Sequence, residues 1–444
     1  MELSRLLGTS FSCACGRVHT VPIKTLLYKA GAIGSLPDIA HESGGGRVAV
    51  TADVRTWDVC GAAVYDTLKD GGFDVRRVIV PDRSRGGPIC DDVTVQWLLG
   101  QLGDISPALV VGVGSGVIND LSKWSSFEMQ VPYIIVATAA SMNGYSAANV
   151  APTIAGVKML IEARPPVAVI AEPSLIERAP REMTTAGFGD TIAKFQSNSD
   201  LTTNRLLLGE YYCELCAGIA SSLEPLYLNH PEDIRDGRSE AVGGLFEALF
   251  WTGLAMTLVG TSAPASGGEH LLSHTLDMMA EVRGGDHDLH GRQVGIGTLL
   301  SAALYERVLA MDRPSLGALP ERVDDAFWKV PSVVAAIAKQ YEAKRRSHEL
   351  VRGRITDGAM WDELRTRLAG TVKSPAVIRD WLQRAGGAVS ISDIGCSRER
   401  IRDAMLHMHE IRKRFSIVDL AWLVGVLPDS ADDLIDQWLM GRRG

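Results

Sequence analysis

The residues best suited to chemistry lie past the middle of the chain. His270 and His274, in Ser266-Gly-Gly-Glu-His-Leu-Leu-Ser-His274, stand four apart, so on a helix both imidazoles leave the same face. His290 opens the segment His-Gly-Arg-Gln-Val-Gly-Ile-Gly-Thr298, and His287 lies just before it. Four of the 10 histidines thus fall between positions 270 and 290. Asp190 sits in the glycine-flanked run Ala186-Gly-Phe-Gly-Asp190, with Lys194 one helical turn further along the same face. One carboxylate and two imidazoles, with coordination positions left open, are what a catalytic divalent cation uses. Spacing alone does not choose three ligands among these residues. Taken singly, each histidine is an ordinary interior or surface residue, and Asp190 with Lys194 an ordinary ion pair on a helix surface. The cluster together with an aspartate on a separate helix argues for a metal.

A second kind of chemistry is legible earlier. Gly112-Val-Gly114-Ser-Gly116-Val-Ile118 follows the apolar run Ala108–Gly112, and glycines at a strand end let backbone N–H groups approach an anion. The glycines stand at 112, 114 and 116, so neither the dinucleotide fingerprint nor a Walker loop is present. Thr138-Ala-Ala-Ser141-Met-Asn143-Gly-Tyr145-Ser146, at the end of another apolar run, fits a ligand crevice or an ordinary polar loop. Asp53, just after Arg47–Thr51, suits either the ribose hydroxyls or a helix N-cap. Cys213 and Cys216 have redox spacing but lie in an apparent helix with no preceding strand, which reads as apolar packing. Cys13, Cys15 and His19 suggest a zinc knuckle with no fourth ligand nearby, and read as non-catalytic. His407 and His409 read as surface or packing residues.

The elements that must position these groups divide the chain in two. Arg47–Thr51, Val75–Pro81, Ala108–Gly112, Tyr133–Thr138 and Val167–Ala171 are continuous apolar runs, the pattern of parallel strands buried on both faces. From Arg181 onwards long amphipathic stretches take over: Arg181–Asn198, Arg205–Leu223, Ser239–Val259, Glu269–Ala280, Gly295–Met311 and Arg398–Arg414. The expectation is an α/β domain with a Rossmann-like parallel sheet over residues 1–180, then an all-helical domain over 181–444, with a hinge near Ala179-Pro180. Pro231–Arg238 and Arg345–Arg354 read as exposed connections.

With 444 residues, 46% hydrophobic and 22% charged, the chain can bury a large core without disulfides. A net charge of −8 argues against a nucleic-acid partner. The longest apolar runs noted, such as Val131–Ala140, are about half of what a membrane span demands, and the N-terminus lacks a secretory signal. Seven thinly spread cysteines suggest no disulfide framework, and a reduced, cytoplasmic protein is expected.

Five segments, in order, carry a resemblance: Gly114–Lys123 (GSGVINDLSK), Thr138–Ser146 (TAASMNGYS), Arg181–Lys194 (REMTTAGFGDTIAK), Pro264–His274 (PASGGEHLLSH) and His290–Leu300 (HGRQVGIGTLL). Over about residues 45–300 they resemble the sn-glycerol-1-phosphate dehydrogenase family, in the superfamily of metal-dependent polyol and iron-containing alcohol dehydrogenases. Arg412–Leu427 resembles the bacterial branch, less specifically. The resemblance implies a dehydroquinate synthase-like fold, with NAD(H) or NADP(H) held by Gly114, Ser115, Gly116, Val117, Ile118, Thr138, Ala139, Ala140 and Ser141; Asp53 joins them as the ribose contact read from its place after a strand. It implies Asp190, His270 and His290 as ligands of one divalent metal: zinc first, with iron or nickel as alternatives. Asn143, Asp190 and His274 would then meet the substrate, with Asp190, His274 and Lys194 catalytic and Lys123 and Lys158 as phosphate contacts. The implied reaction interconverts a ketone like dihydroxyacetone phosphate and a secondary alcohol like sn-glycerol-1-phosphate, in a homodimer or higher homo-oligomer.

Three positions depart from the family pattern. Asn143 stands where an aspartate is usual, Ala147 where a serine is, and Arg292 where glutamate follows His-Gly. An asparagine is no charged acceptor, so the substrate expectation extends to another polyol, ketose or phosphorylated ketone. The rival readings are a sugar-phosphate cyclase resembling dehydroquinate synthase, whose first metal ligand is usually glutamate, and a non-catalytic nucleotide-binding relative.

Overall fold

The computed structural model describes residues 3–83 and 86–441. Its main sheet is built from β3 (Thr25–Tyr28), β4 (Arg47–Ala52), β5 (Asp74–Ile79), β6 (Leu109–Gly114), β7 (Tyr133–Ala137) and β8 (Ala168–Ala171). They follow a hairpin of β1 (Ser10–Ser12) and β2 (Val18–Thr20). The sheet order is β3-β8-β7-β6-β4-β5, and every pairing within it is parallel. The five strands read from sequence are all present; β3, short and only half-buried, was not read.

Burial explains the apolar runs. Every residue of β6 and β7 is buried, so these central strands have no solvent face to alternate towards. The edge strand β5 instead exposes Asp74, Arg76 and Arg77 and buries Val75 and Val78. Arg47 closes on Asp74 at 2.6 Å, and charge on an edge discourages pairing with another chain.

Topology then fixes where a ligand can enter. From β4 the chain adds β5 on one side, then crosses to place β6 on the other. The strand order reverses between β4 and β6, and open parallel sheets bind ligands beyond the carboxyl ends of strands at such a point. Asp53 follows β4, and the turn at Gly114 ends β6.

By compactness the chain resolves into two units: Met1–Ile154, Met159–Gly187 and Gly218–Thr261 in the first, and Ala155–Lys158, Phe188–Ala217 and Ser262–Gly444 in the second. The expected boundary at 180 lies near the passage from Gly187 to Phe188. A single boundary does not describe the return of Gly218–Thr261 to the first unit. Within that return lies α4 (Ser239–Val259), which follows α1 (Gly116–Glu128), α2 (Arg181–Ile192) and α3 (Lys194–Leu208) among the helices used below.

α4 corrects the reading of apolar runs. At 21 residues, with mean hydropathy 1.5 over an 18-residue window, it is long and apolar enough to cross a membrane. Yet 72% of that window is buried, and Phe246 stacks on Tyr28 with ring centroids 5.3 Å apart. It is packed as a core helix of the first unit.

Two expected connections are also helical: Pro231–Arg235 forms a short helix, and Arg345–Arg354 lies inside Pro331–Ile355. Buried Lys344, His348 and Val351 on one face of the latter show why its charged sequence misled. The expected helices Arg181–Asn198 and Arg205–Leu223 are each interrupted, the first at Ala193 and the second after Leu208, where Gly209 takes a left-handed cap at φ 68°. Cys213 therefore precedes its helix, Glu214–Leu223, and only Cys216 lies within it.

Candidate active site

The loops after β6 and β7 meet within the first unit. Ser115 is the N-cap of α1, but its hydroxyl makes no capping bond and pairs with the Ser141 hydroxyl. The amides of Gly116, Val117 and Ile118 thus open the helix without a side-chain cap, a ready anion site at the positive end of the helix dipole. Thr138 N–H donates to the Gly114 carbonyl at 3.2 Å, and Tyr145 O–H to that of Ala139 at 2.8 Å. These bonds hold Thr138, Ala139, Ala140 and Ser141 beside the turn. Gly114 must be glycine, since a Cβ there would lie 2.6 Å from that of Ile118. At Gly116 a Cβ would meet only Met142 Cγ, at 3.6 Å, so this approach stays open.

Asp53 takes the N-cap role: its Oδ1 accepts from Thr56 N–H at 2.9 Å in a capping box, at the carboxyl end of β4. Asn143 is buried in the first unit, its carbonyl pressed against Gly253 of α4. Lys123 corrects the phosphate expectation. It is fully buried, and its ammonium donates to the carbonyls of Gly144 at 2.6 Å and Asn149 at 3.1 Å. It ties down the loop after β7 and has no face for a ligand.

The second unit gathers the metal-type residues. Asp190 comes from the end of α2, His270 from α5 (Gly268–Arg283), and His290 is the first residue of α6 (His290–Leu309). Glycines allow the approach: a Cβ at Gly189 would fall closer than 3.0 Å to the Gly291 carbonyl, and one at Gly297 would do the same at Glu269. One donor atom each of Asp190, His270 and His290 lie within 4.8 Å of one another. His270 Nε2 is 3.4 Å from Asp190 Oδ1.

The neighbouring bonds settle the tautomers. Glu269 Oε1 lies 2.9 Å from His270 Nδ1, and a carboxylate there takes the Nδ1 proton. Ser273 donates its proton to Gln293 Oε1 at 2.8 Å, so its oxygen accepts from His290 Nδ1 at 2.9 Å. With Nδ1 of each ring committed, Nε2 is the nitrogen that would face a cation, the usual outer support of metal-binding histidines. Glu269, Ser273 and Gln293 were not singled out from the sequence; only the adjacency of Glu269 to His270 offered a signal.

Charge follows this arrangement. Burial would raise Asp190, but Lys194 and the two imidazoles outweigh it and hold the carboxylate well below its usual range. Lys194 Nζ lies 3.3 Å from Asp190 Oδ1 and donates to the Ala265 carbonyl at 2.9 Å. It is a buried partner of Asp190, not a surface one. Burial, helped by the charge on His270, lowers His290 to about 4. Burial, with Arg412 and the other two imidazoles, also lowers His274 well below its usual value. His274 Nδ1 is buried with no hydrogen-bond partner, on the ring stacked 5.5 Å from His290.

A second candidate set shares His290 and brings in His274 and Asp277, again within 4.8 Å. Asp277, one turn after His274 on α5, was not read from sequence. It lies 3.6 Å from Lys158 Nζ, which keeps Lys158 beside this cluster. His287 Nδ1 sits 3.4 Å from the same carboxylate. Of the remaining histidines, His407 stacks on Phe327 at 3.6 Å and His409 is buried, both as packing residues.

A parallel sheet with a glycine turn at its reversal point, followed by helices gathering a buried aspartate and two histidines, is the class of arrangement that suits a nucleotide- and metal-using enzyme. The family model for iron-containing alcohol dehydrogenase matches residues 27–180. Among solved structures, a probable glycerol dehydrogenase from Sinorhizobium meliloti shares the fold, with TM-score 0.61 and 16% identity over 94% of this chain and 96% of that one. The glycerol-1-phosphate dehydrogenase [NAD(P)+] of Geobacillus stearothermophilus is 28% identical over 94% of this chain and 96% of its own. That of Thermococcus kodakarensis is 33% identical over 65% of this chain and 80% of its own. The chain belongs to the glycerol-1-phosphate dehydrogenase family, and it is an oxidoreductase.

Proposed function

We propose that the protein reduces a phosphorylated ketone of the dihydroxyacetone phosphate type to a secondary alcohol of the sn-glycerol-1-phosphate type, and catalyses the reverse, with NAD(H) or NADP(H). The observation that carries this is the convergence of Asp190, His270 and His290 with both Nδ1 protons committed elsewhere. In this assignment residues 1–180 carry the dinucleotide and 181–444 the metal and substrate.

The residues fit both groups. The uncapped start of α1, with Gly114 to Ile118 and Thr138 to Ser141, suits a pyrophosphate, and Asp53 suits the ribose. Asp190 and two imidazole Nε2 atoms suit zinc, with iron or nickel compatible with the same donors. A cation held there supplies Lewis-acid polarisation of the carbonyl oxygen, and the dinucleotide supplies the hydride.

The chain's own residues do the rest. Lys194 fixes the position and charge of Asp190. Glu269 and Ser273 orient the two imidazoles. His274, neutral near pH 7 and with an unpaired buried Nδ1, is placed to pass a proton to the new hydroxyl. Lys158 and Arg412, whose charges both act on His274, suit a substrate phosphate. Asn143 is a further proposed substrate contact. Family membership supports a small-molecule polyol phosphate as the substrate, and we place the enzyme in the cytoplasm as a homo-oligomer.

Assay of phosphorylated and free ketones with each reduced cofactor, followed by absorbance, tests the reading. Steady cofactor consumption with a phosphorylated ketone is expected. Asp190→Ala should lower kcat/KM at least ~10³-fold, a loss of roughly 4 kcal/mol of transition-state stabilisation, while NADH binding persists. Product formation with no net cofactor oxidation would instead favour a cyclase.

A further inference from the structure

The hairpin of β1 and β2 carries a group of soft ligands that the dehydrogenase chemistry does not use. Its strands pair Phe11 with His19 and Ser12 with Val18. The loop between them is closed by Cys13 N–H to the Arg17 carbonyl at 2.9 Å and Gly16 N–H to the Cys13 carbonyl at 3.0 Å. Gly16 turns the chain at φ 84°, a left-handed conformation suited to glycine. Folded in this way, the loop brings Cys13 Sγ, Cys15 Sγ and a ring nitrogen of His19 within 4.8 Å of one another. No disulfide joins the thiols.

His19 supplies the second observation. Its ring is buried, and its Nδ1 lies 2.8 Å from the carbonyl of Leu258 near the end of α4. A carbonyl only accepts, so Nδ1 carries the proton and Nε2 keeps a lone pair. That lone pair faces Cys15 Sγ at 3.3 Å. In tetrahedral zinc, Zn–S of about 2.3 Å and Zn–N of about 2.0–2.1 Å set ligand sulfur and nitrogen about 3.6 Å apart. A backbone carbonyl holding the far nitrogen is also how metal-binding histidines are oriented.

We propose that Cys13, Cys15 and His19 hold a structural zinc ion at a second metal site, whose ligands include none of Asp190, His270 and His290. Each thiol gives up its proton on binding, and these three residues supply three of the four ligands of a tetrahedral site. The ion would fasten the hairpin, through His19, to the end of α4 within the first unit.

The experiment compares metal content in protein grown with zinc and dialysed against a weak chelator. Wild type should carry two equivalents by mass spectrometry. Asp190→Ala and Cys15→Ser should each carry one, lost from different sites. Because Cys15→Ser could unfold the hairpin, the wild-type protein is also loaded with Co²⁺. A thiolate-to-cobalt charge-transfer band should appear in the near ultraviolet, persist in Asp190→Ala and vanish in Cys13→Ser. Metal content that Cys15→Ser leaves at the wild-type level, or a Co²⁺ spectrum without a thiolate band, would overturn the proposal. Neither result depends on catalysis, so the site stands or falls separately from the reaction proposed above.

Discussion

At the scale of single residues, the candidate metal centre depends on groups that never touch a cation. Glu269 fixes one imidazole and Ser273 the other. Glu269 Oε1 also accepts from Gly267 N–H at 2.7 Å, so the carboxylate is braced at the start of α5. Replacing such outer partners typically weakens metal affinity 10–100-fold, or about 1.4–2.8 kcal/mol. Glu269→Gln should therefore weaken metal binding by about that factor in a chelator competition, while kcat at saturating metal changes much less. Ser273→Ala should act in the same direction through His290. A fall in kcat with unaltered metal affinity would mean that Glu269 acts on the substrate instead.

At the scale of elements, helix approach decides the site. α2 reaches α6 only because position 189 has no side chain, and α5 reaches α6 at Gly297 for the same reason. An added methyl facing backbone cannot move aside, and overpacking of this kind costs about 1–3 kcal/mol or more. Gly189→Ala should lower the unfolding midpoint and the bound metal together. Gly116→Ala is the contrasting case, since its neighbour is the end of a flexible Met142 side chain. That variant should fold with unchanged Tm yet bind the dinucleotide at least ~10-fold more weakly by fluorescence titration, about 1.4 kcal/mol. Unchanged affinity would remove Gly116 from the cradle.

The same distinction explains what could be read in advance. The central strands were legible because strands buried on both faces must be apolar throughout, and the histidine cluster because its members lie close in sequence. Ser273 and Asp277 gain their roles from Gln293 and Lys158, brought close by chain crossings that spacing does not encode. Arg345–Arg354 misled because a charged helix and a loop share a composition, and β3 because four half-buried residues carry little pattern.

At the scale of the whole molecule, buried ionisable groups set the response to acid. In the second unit Lys344 pairs with Asp419 at 2.8 Å, and His348 Nε2 meets the same carboxylate at 2.9 Å. Burial opposes ionisation of Asp419, but those two partners outweigh it and hold it well below the usual range. Stability from this carboxylate is present above its unfolded pKa and is lost as pH falls through the folded one. His409 acts earlier: burial, and then the charge of Lys344, lowers it to about 3. Between pH 3 and about 6.5 the unfolded chain binds a proton at this imidazole that the folded chain refuses, so stability rises with pH across that window. From pH 6.5 down to 5 the loss from His409 alone reaches at most about 2 kcal/mol. Urea unfolding at pH 5, 6 and 7 should give a steeper pH dependence for wild type than for His409→Gln, whatever level the variant starts from. Metal release in acid affects both proteins alike, so the difference in slope isolates His409. Parallel curves would mean that this imidazole accepts its proton in the folded state as readily as in the unfolded chain.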